Sequence, residues 1–474
     1  MLKISSIILI LIFLNTLSVS AKITLPDIIQ SNMVLQQKSK VLLWGEARSN
    51  AEVTIKASWS KKLYKTKSNA DGSWRITVQT PAAGGPYDIT FNDGTRLKIK
   101  NILIGEVWLC SGQSNMEIPV VGYSYWPAPI LHSNDILFNS NNSQIRLYKV
   151  EKAFSKKPLK DCKGIWQESN PQTVREFSAV GYLYAKLLQQ KLKVPVGIIE
   201  AAVGATVIET WMSKNSLAEV PEVKLSYKPD SSKIDMNDPS VAFNAMINPL
   251  TEFRIKGVIW YQGEQNWVDP KYYNKLMVAM VKGWRKLWGQ GNFPFYYVQI
   301  APYKYPYDRN LVPYLREEQL KAMNEIPNCG MVVSLDVGSE YTVHPPNKLI
   351  ISKRLLYWAL AKTYGWKGLA YCGPIYKSMK IKGNSIEVFF NYDSTGLTSY
   401  GKKLSCFKIA GKDKKFYQAS ARISRDKLGT DIVIVHSDSV KTPIAVRYGF
   451  KDWVKGDLYN NMGLPASPFK TDNW

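Results

Sequence analysis

Residues 105–117 read GEVWLCSGQSNME: a bulky apolar run closes at Cys110, and Ser111, Gly112, Gln113, Ser114 and Asn115 follow without one apolar side chain. The run has the texture of a buried strand, and a small, glycine-bearing turn at its end sets one short side chain at the strand's carboxyl edge. It is either an ordinary surface turn or a turn that holds up the Ser114 hydroxyl for chemistry. Four later runs share the texture: VGIIEAA (196–202), GVIWYQG (257–263), FPFYYVQI (293–300) and GMVVSLD (330–336). Between them lie SAVGYLYAKLLQQKL (178–192), KYYNKLMVAMVKGWRKLW (271–288) and NKLIISKRLLYWALAKTYG (347–365). In the first of these the apolar positions recur at three- and four-residue intervals, as an amphipathic helix requires. Strand–helix alternation with near-continuous apolar strands predicts an α/β region with a parallel sheet covered on both faces. On such sheets ligands bind at the carboxyl ends of the strands.

Outward from this centre, residues 22–100 change character. VLLWGEA (41–47), AEVTIKASW (51–59), GSWRITVQT (72–80) and YDITFND (87–93) are short β-branched or aromatic runs, broken by Asn-Ala-Asp-Gly and Ala-Ala-Gly-Gly-Pro. They predict a small β-sandwich. The tail, 366–474, returns to β texture in SIEVFFNYD (385–393), DIVIVHSD (431–438) and PIAVRYGF (443–450), and a second β-sandwich region is the simplest account. The roughly 450 residues beyond the leader are too many for one core. The expected division is therefore a sandwich over 22–100, a catalytic α/β domain over 101–365 and a β-sandwich region over 366–474. No repeat or low-complexity linker separates them, so tight packing is expected.

Residues 1–21 carry Lys3, an apolar Ile7–Leu14 and a small-residue Val19-Ser20-Ala21 site. This reads as a secretory signal peptide; the apolar stretch is too short to span a membrane. No cysteine follows the cleavage site, so no lipid anchor is expected, and the mature protein should be exported, to the periplasm or beyond. The five cysteines, 110, 162, 329, 372 and 406, cannot all pair, and their spacing fits no zinc ribbon or disulfide scaffold; one bridge is conceivable. Cys110 reads as a buried small hydrophobe. The net charge of +24 suits acidic glycans, nucleic acid or anionic membranes. Its lysines are scattered and no nucleic-acid motif is present, so nucleic acid is not expected as a partner, and the plain reading of the charge is a basic, solvated surface. The 12% aromatic share suits carbohydrate-facing surfaces, although core and strand positions account for most such residues.

A serine nucleophile needs a base, because its hydroxyl is inert at its own pKa. Only His132, His344 and His436 exist. His436 falls in a strand of the tail, and His132 in a loop after Trp126-Pro127-Ala128-Pro129. His344 follows an apolar strand and precedes Pro345-Pro346 and a helix, which puts it on the same carboxyl edge as Ser114. It is the best candidate base. Three dispersed histidines without clustered cysteines argue against zinc, and no metal or cofactor is expected.

At this point the chain resembles a known family. GQSNM (112–116), WYQGEQN (260–266) and HPPNK (344–348) look like the signature blocks of sialate O-acetylesterases, within the SGNH hydrolase superfamily. SNMVLQQ (31–37), WGEA (44–47), GGPYDI (84–89), FNAMINPL (243–250), AVRYGF (445–450) and NMGLPASPF (461–469) extend the likeness from about residue 24 to the C-terminus. The resemblance implies a three-layer SGNH fold flanked by β-sandwich regions, and a serine esterase acting on O-acetylated sialic acid. It implies Ser114 as nucleophile, His344 as base, and an oxyanion site of the serine N–H, the Gly204 N–H and an amide from the block holding Gln262, Glu264 and Asn266. Which of those three faces the acetyl oxygen stays open, because the wider superfamily carries an asparagine there. Glu264 reads either as a site acid or as a structural carboxylate bonding loop amides, and the structural role is favoured. Relatives carry an acid two or three residues before the histidine, where this chain has Thr342 and Tyr341. Glu340 is the nearest alternative for holding the ring, followed by Asp336; a dyad with a carbonyl or remote acid is the other arrangement. Two rival readings remain: an esterase for acetylxylan or another acetylated glycan, and a non-catalytic glycan-binding relative.

Overall fold

In the computed structural model, residues 22–124, 128–223, 233–305 and 309–474 are described; the expected leader, 1–21, lies outside them. The first strands are β1 (Val34–Gln36), β2 (Lys40–Glu46), β3 (Glu52–Ala57), β4 (Leu63–Lys67), β5 (Ser73–Gln79) and β6 (Gly84–Asn92). β4, β3 and β6 pair antiparallel, β2 pairs with β5, and alternate residues turn inward: Val53 and Ile55 from β3, Ile89 and Phe91 from β6, and Trp74 from β5. Trp74 lies 5.8 Å from Phe91, ring centre to ring centre, and joins the two layers.

The strand that follows, β7 (Arg96–Gly112), is 17 residues long. At roughly 3.3 Å per residue it spans about 55 Å. Its first half pairs antiparallel with β6, and its second half, from Glu106, pairs parallel with two strands of the central region. The expected boundary at 100/101 therefore falls inside one continuous strand. The N-terminal layer and the central region share a single 11-stranded sheet.

The central elements are α1 (Ser114–Glu117), α2 (Ser133–Phe138), β8 (Asn142–Val150), β9 (Gly164–Ser169), α3 (Pro171–Arg175), α4 (Ala179–Leu192), β10 (Val196–Ala202), α5 (Lys214–Ala218), β11 (Gly257–Tyr261), α6 (Tyr273–Trp288), β12 (Phe295–Val298), α7 (Val312–Glu325), β13 (Cys329–Val332) and α8 (Lys348–Trp358). The strand order is β9-β8-β10-β7-β11-β12-β13, all parallel except β9. β7 sits at the centre, and the chain fills first one side of it and then the other. That makes its carboxyl end the switch point where such sheets bind ligands.

The apolar runs are continuous because both faces are covered. Trp108 and Cys110 point into a core with Tyr184 and Leu188 of α4 and Leu355 of α8. Val107 and Leu109 join the opposite core, with Trp284 of α6 and Leu315 of α7. The α/β fold expected from the sequence is present.

The tail holds β14 (Ile375–Lys382), β15 (Ser385–Asn391), β16 (Leu397–Thr398), β17 (Phe407–Ala410), β18 (Phe416–Gln418), β19 (Ser420–Arg425), β20 (Asp431–His436), β21 (Ala445–Tyr448), β22 (Tyr459–Asn460) and β23 (Phe469–Lys470). Two four-stranded sheets, β14-β15-β20-β19 and β18-β17-β21-β23, face each other, with Phe390 against Phe469 at 6.0 Å. Buried Arg316 of α7 donates to the carbonyls of Lys451 and Asp452, both at 2.8 Å, and ties this region to the centre. All five thiols are free, so the one bridge conceivable from the sequence does not form.

Candidate active site

The turn after β7 is built by its neighbours. Gly112 has φ +139°, and a Cβ there would lie 2.1 Å from the Tyr261 carbonyl oxygen, so only glycine allows the close approach of β11. The Gln113 N–H donates to that carbonyl at 3.0 Å. The Gln113 side-chain oxygen accepts from the N–H groups of Gly263 and Gln265 at 3.1 and 3.2 Å. Ser114 then opens α1.

From 230 positions further along, the loop between β13 and α8 brings His344 to the same edge, with Nε2 at 2.9 Å from Ser114 Oγ. To accept that hydroxyl proton Nε2 must be unprotonated, so Nδ1 carries the ring hydrogen. Nδ1 is buried and has no hydrogen-bond partner among the described residues. Burial, with the Lys348 ammonium nearby, pushes the His344 pKa down to about 4. The ring of Tyr123 meets the imidazole edge-on, 6.3 Å between centres.

Neither expected acid reaches the ring. Glu340 pairs with Lys304 at 3.3 Å on the surface, and Asp336 forms a two-pronged pair with Arg354, both contacts 2.7 Å. Glu340 as the third catalytic residue is thus corrected: a salt bridge to a lysine of the loop after β12 claims its carboxylate. Thr342 Oγ1 accepts from the His344 N–H at 3.2 Å, closing the loop's own turn.

The expected oxyanion donors are also engaged elsewhere. Gly204 lies against Ser114, where a Cβ would come 3.3 Å from the serine Cβ, but its N–H donates to Glu117 Oε2 at 2.5 Å. Lys152 pairs with the other Glu117 oxygen. Gln262 gives its amide hydrogens to the Thr206 carbonyl (3.0 Å) and to Asn266 Oδ1 (2.7 Å) and accepts from the Tyr273 hydroxyl (2.8 Å). Asn266 also accepts from the Ile208 N–H at 2.9 Å and donates to Glu209 at 3.0 Å. These two side chains brace the loop after β11 and do not turn toward the serine.

Glu264 is buried and accepts from Asn115 Nδ2 at 2.5 Å. Burial raises its pKa despite that bond and the nearby Lys348. Asn115 and Lys348 were not singled out from the sequence, although both lie within the GQSNM and HPPNK blocks; a polar side chain gives no sequence signal that it will be buried. Among the described residues no three of His, Cys, Asp and Glu cluster as metal ligands, and no helix is long and apolar enough to cross a membrane.

Comparison with known proteins places the chain in a family. Residues 104–348 match the carbohydrate esterase family described as sialic acid-specific acetylesterase. The chain is similar to the sialate O-acetylesterases of Homo sapiens and Pongo abelii, each 28% identical over 494 residues, covering 93% of this chain and 91% of the relative. A crystal structure of a carbohydrate acetylesterase from Xanthomonas citri superimposes with a TM-score of 0.86 at 34% identity, covering 96% of this chain and all of that one.

Proposed function

Because the chain belongs to the carbohydrate esterase family of sialic acid-specific acetylesterases, we propose that it is exported and removes O-acetyl groups from sugars, sialic acids first, through an acetyl-enzyme on Ser114. The observation that carries the mechanism is the 2.9 Å contact between Ser114 Oγ and His344 Nε2. Ser114 Oγ attacks the acetyl carbon while Nε2 takes its proton. The bond from the acetyl carbon to the sugar oxygen then breaks, and the imidazolium returns the proton to that oxygen. Water, deprotonated by the same nitrogen, attacks the acetyl carbon; the bond from that carbon to Ser114 Oγ breaks, the imidazolium returns the proton to Oγ, and acetate leaves. A positioned base of this kind contributes about two to four orders of magnitude in rate.

The tetrahedral intermediates carry an oxyanion. The Ser114 N–H opens α1, where amides have no partner within the helix, and we assign it as the first donor. The Gly204 N–H becomes the second when the acetyl oxygen displaces the Glu117 carboxylate from it. Each donor of this type is worth about 2.7–4 kcal/mol in the transition state.

The family and the +24 charge support an acidic sugar as substrate. The test is acetate release from O-acetylated sialic acid and from acetylxylan, with Ser114→Ala as control. The reading expects turnover of the sialate ester, little of the xylan, and loss of both in the variant. Preference for acetylxylan would move the substrate to a neutral glycan, and full activity in Ser114→Ala would remove the mechanism.

A further inference from the structure

Asn115, the residue after the nucleophile, is fully buried with every polar atom of its side chain in use. Nδ2 donates to Glu264 Oε1 at 2.5 Å and to the Val343 carbonyl at 3.1 Å, and Oδ1 accepts from Lys348 Nζ at 2.5 Å. An amide offers two donor hydrogens and an accepting oxygen, and here each meets its complement. The partners come from three segments: the loop after β11, the residue before His344, and the first residue of α8. Asn115 is thus the point where the serine turn, the histidine loop and the sheet edge are joined.

His344, for its part, lacks a carboxylate on Nδ1, and both nearby acids are held by other cations. Burying an ammonium and a carboxylate beneath this pair is costly, and apolar residues of like size would serve packing as well. What the two charged groups supply here is geometry, through the hydrogen bonds they make to the Asn115 amide. We propose that Asn115, locked by Glu264 and Lys348, is a positioning residue that fixes His344 against Ser114 through the Val343 carbonyl, a backbone clamp in place of an acid on the ring. The inference rests on Ser114 and His344 being the reacting pair.

The clamp also has an electrostatic consequence. Facing His344 are Ser114 from α1, the Tyr123 ring and Lys348; facing Lys348 are Glu264 and the Tyr261 ring, at 5.6 Å. Tyr305 also faces Glu264. The Lys348 charge disfavours the imidazolium, so removing it must move the acid limb of kcat/KM to higher pH.

The test uses the full chain, a chromogenic acetate ester and a thermal melt for each variant. Asn115→Ala should lower kcat about 100-fold, the loss expected when a reacting group is misplaced by about 1 Å, with KM changed far less. Lys348→Met combined with Glu264→Gln removes both buried charges at similar size and leaves no unpaired carboxylate; it should fold, lower kcat and shift the acid limb upward, and it decides the matter if Asn115→Ala does not fold. Folded variants with wild-type kcat and an unmoved pH profile, whatever their melting temperature, would overturn the clamp while Ser114→Ala stayed inactive. Activity in Ser114→Ala would instead remove the reacting pair itself.

Discussion

At the scale of single residues, the unusual feature is a histidine whose second nitrogen has no hydrogen-bond partner among the described residues. With its pKa pushed down to about 4, His344 stays neutral, and able to accept a proton, well below the range of an ordinary histidine. The acid limb of kcat/KM, which reports the free base, should therefore have its midpoint near pH 4 on a chromogenic acetate ester; a midpoint at the usual 6.5 would mean that some group stabilises the imidazolium. Thr342 and Tyr341 stand where the resemblance leads one to expect an acid. Thr342→Asp should place a carboxylate near Nδ1, raise kcat and move that limb upward, since an opposite charge favours the protonated ring. An unmoved limb would show that the new carboxylate does not reach the ring. That an acid was missing was legible in the run Glu340-Tyr341-Thr342-Val343-His344. That neither Glu340 nor Asp336 replaces it was not, because Lys304 and Arg354, which claim them, are distant or unmarked in the chain.

At the scale of elements, the five continuous apolar runs were readable because strands covered on both faces carry no alternation. β8 was not: SQIRLYKV interleaves Arg146 and Lys149 with its apolar residues. It lies one strand from the sheet edge, where the buried Arg146 guanidinium pairs with Glu168 of the antiparallel β9 at 3.0 Å. A polar partner on the next strand lets charge into a buried strand, and sequence periodicity cannot foresee the partner. The turn after β7 makes the opposite case, since Gly112 is demanded by its surroundings. Gly112→Ala should cost at least about 1–3 kcal/mol from the backbone conformation alone, and more from the collision with Tyr261. Urea unfolding would measure it; an unchanged midpoint would mean that the turn relaxes into another shape.

At the scale of the whole molecule, β7 decides how the parts behave together. It belongs to both the N-terminal layer and the central sheet, so neither can unfold without breaking the strand the other needs. Calorimetry should show these two regions melting in one transition, with matching calorimetric and van't Hoff enthalpies; two resolved transitions would count against the shared sheet as a cooperative unit. The tail is attached through backbone hydrogen bonds, such as the Gly456 N–H to the Leu335 carbonyl at 3.0 Å, and through side chains. Asp452 accepts from the N–H groups of Asn310 and Val312, at 3.1 and 3.0 Å, and so caps α7 from another region of the chain. Asp452→Ala should lower stability by about 1 kcal/mol, the usual loss of a helix cap, seen as a reduced melting temperature.

The sequence by itself determined the α/β class, the flanking β regions, the family, and Ser114 and His344 as a candidate pair. Local periodicity and short motifs suffice for these, because they record which face is buried and which residue types chemistry needs. Only the tertiary structure decided that the boundary at residue 100 lies inside a strand, that the Gly204 N–H is held by Glu117, and that Asn115 gathers Glu264, Val343 and Lys348 around one amide. Hydrogen bonds in a buried site form between residues far apart in the chain. Their choice of partner is settled by packing, on which the order of residues is silent.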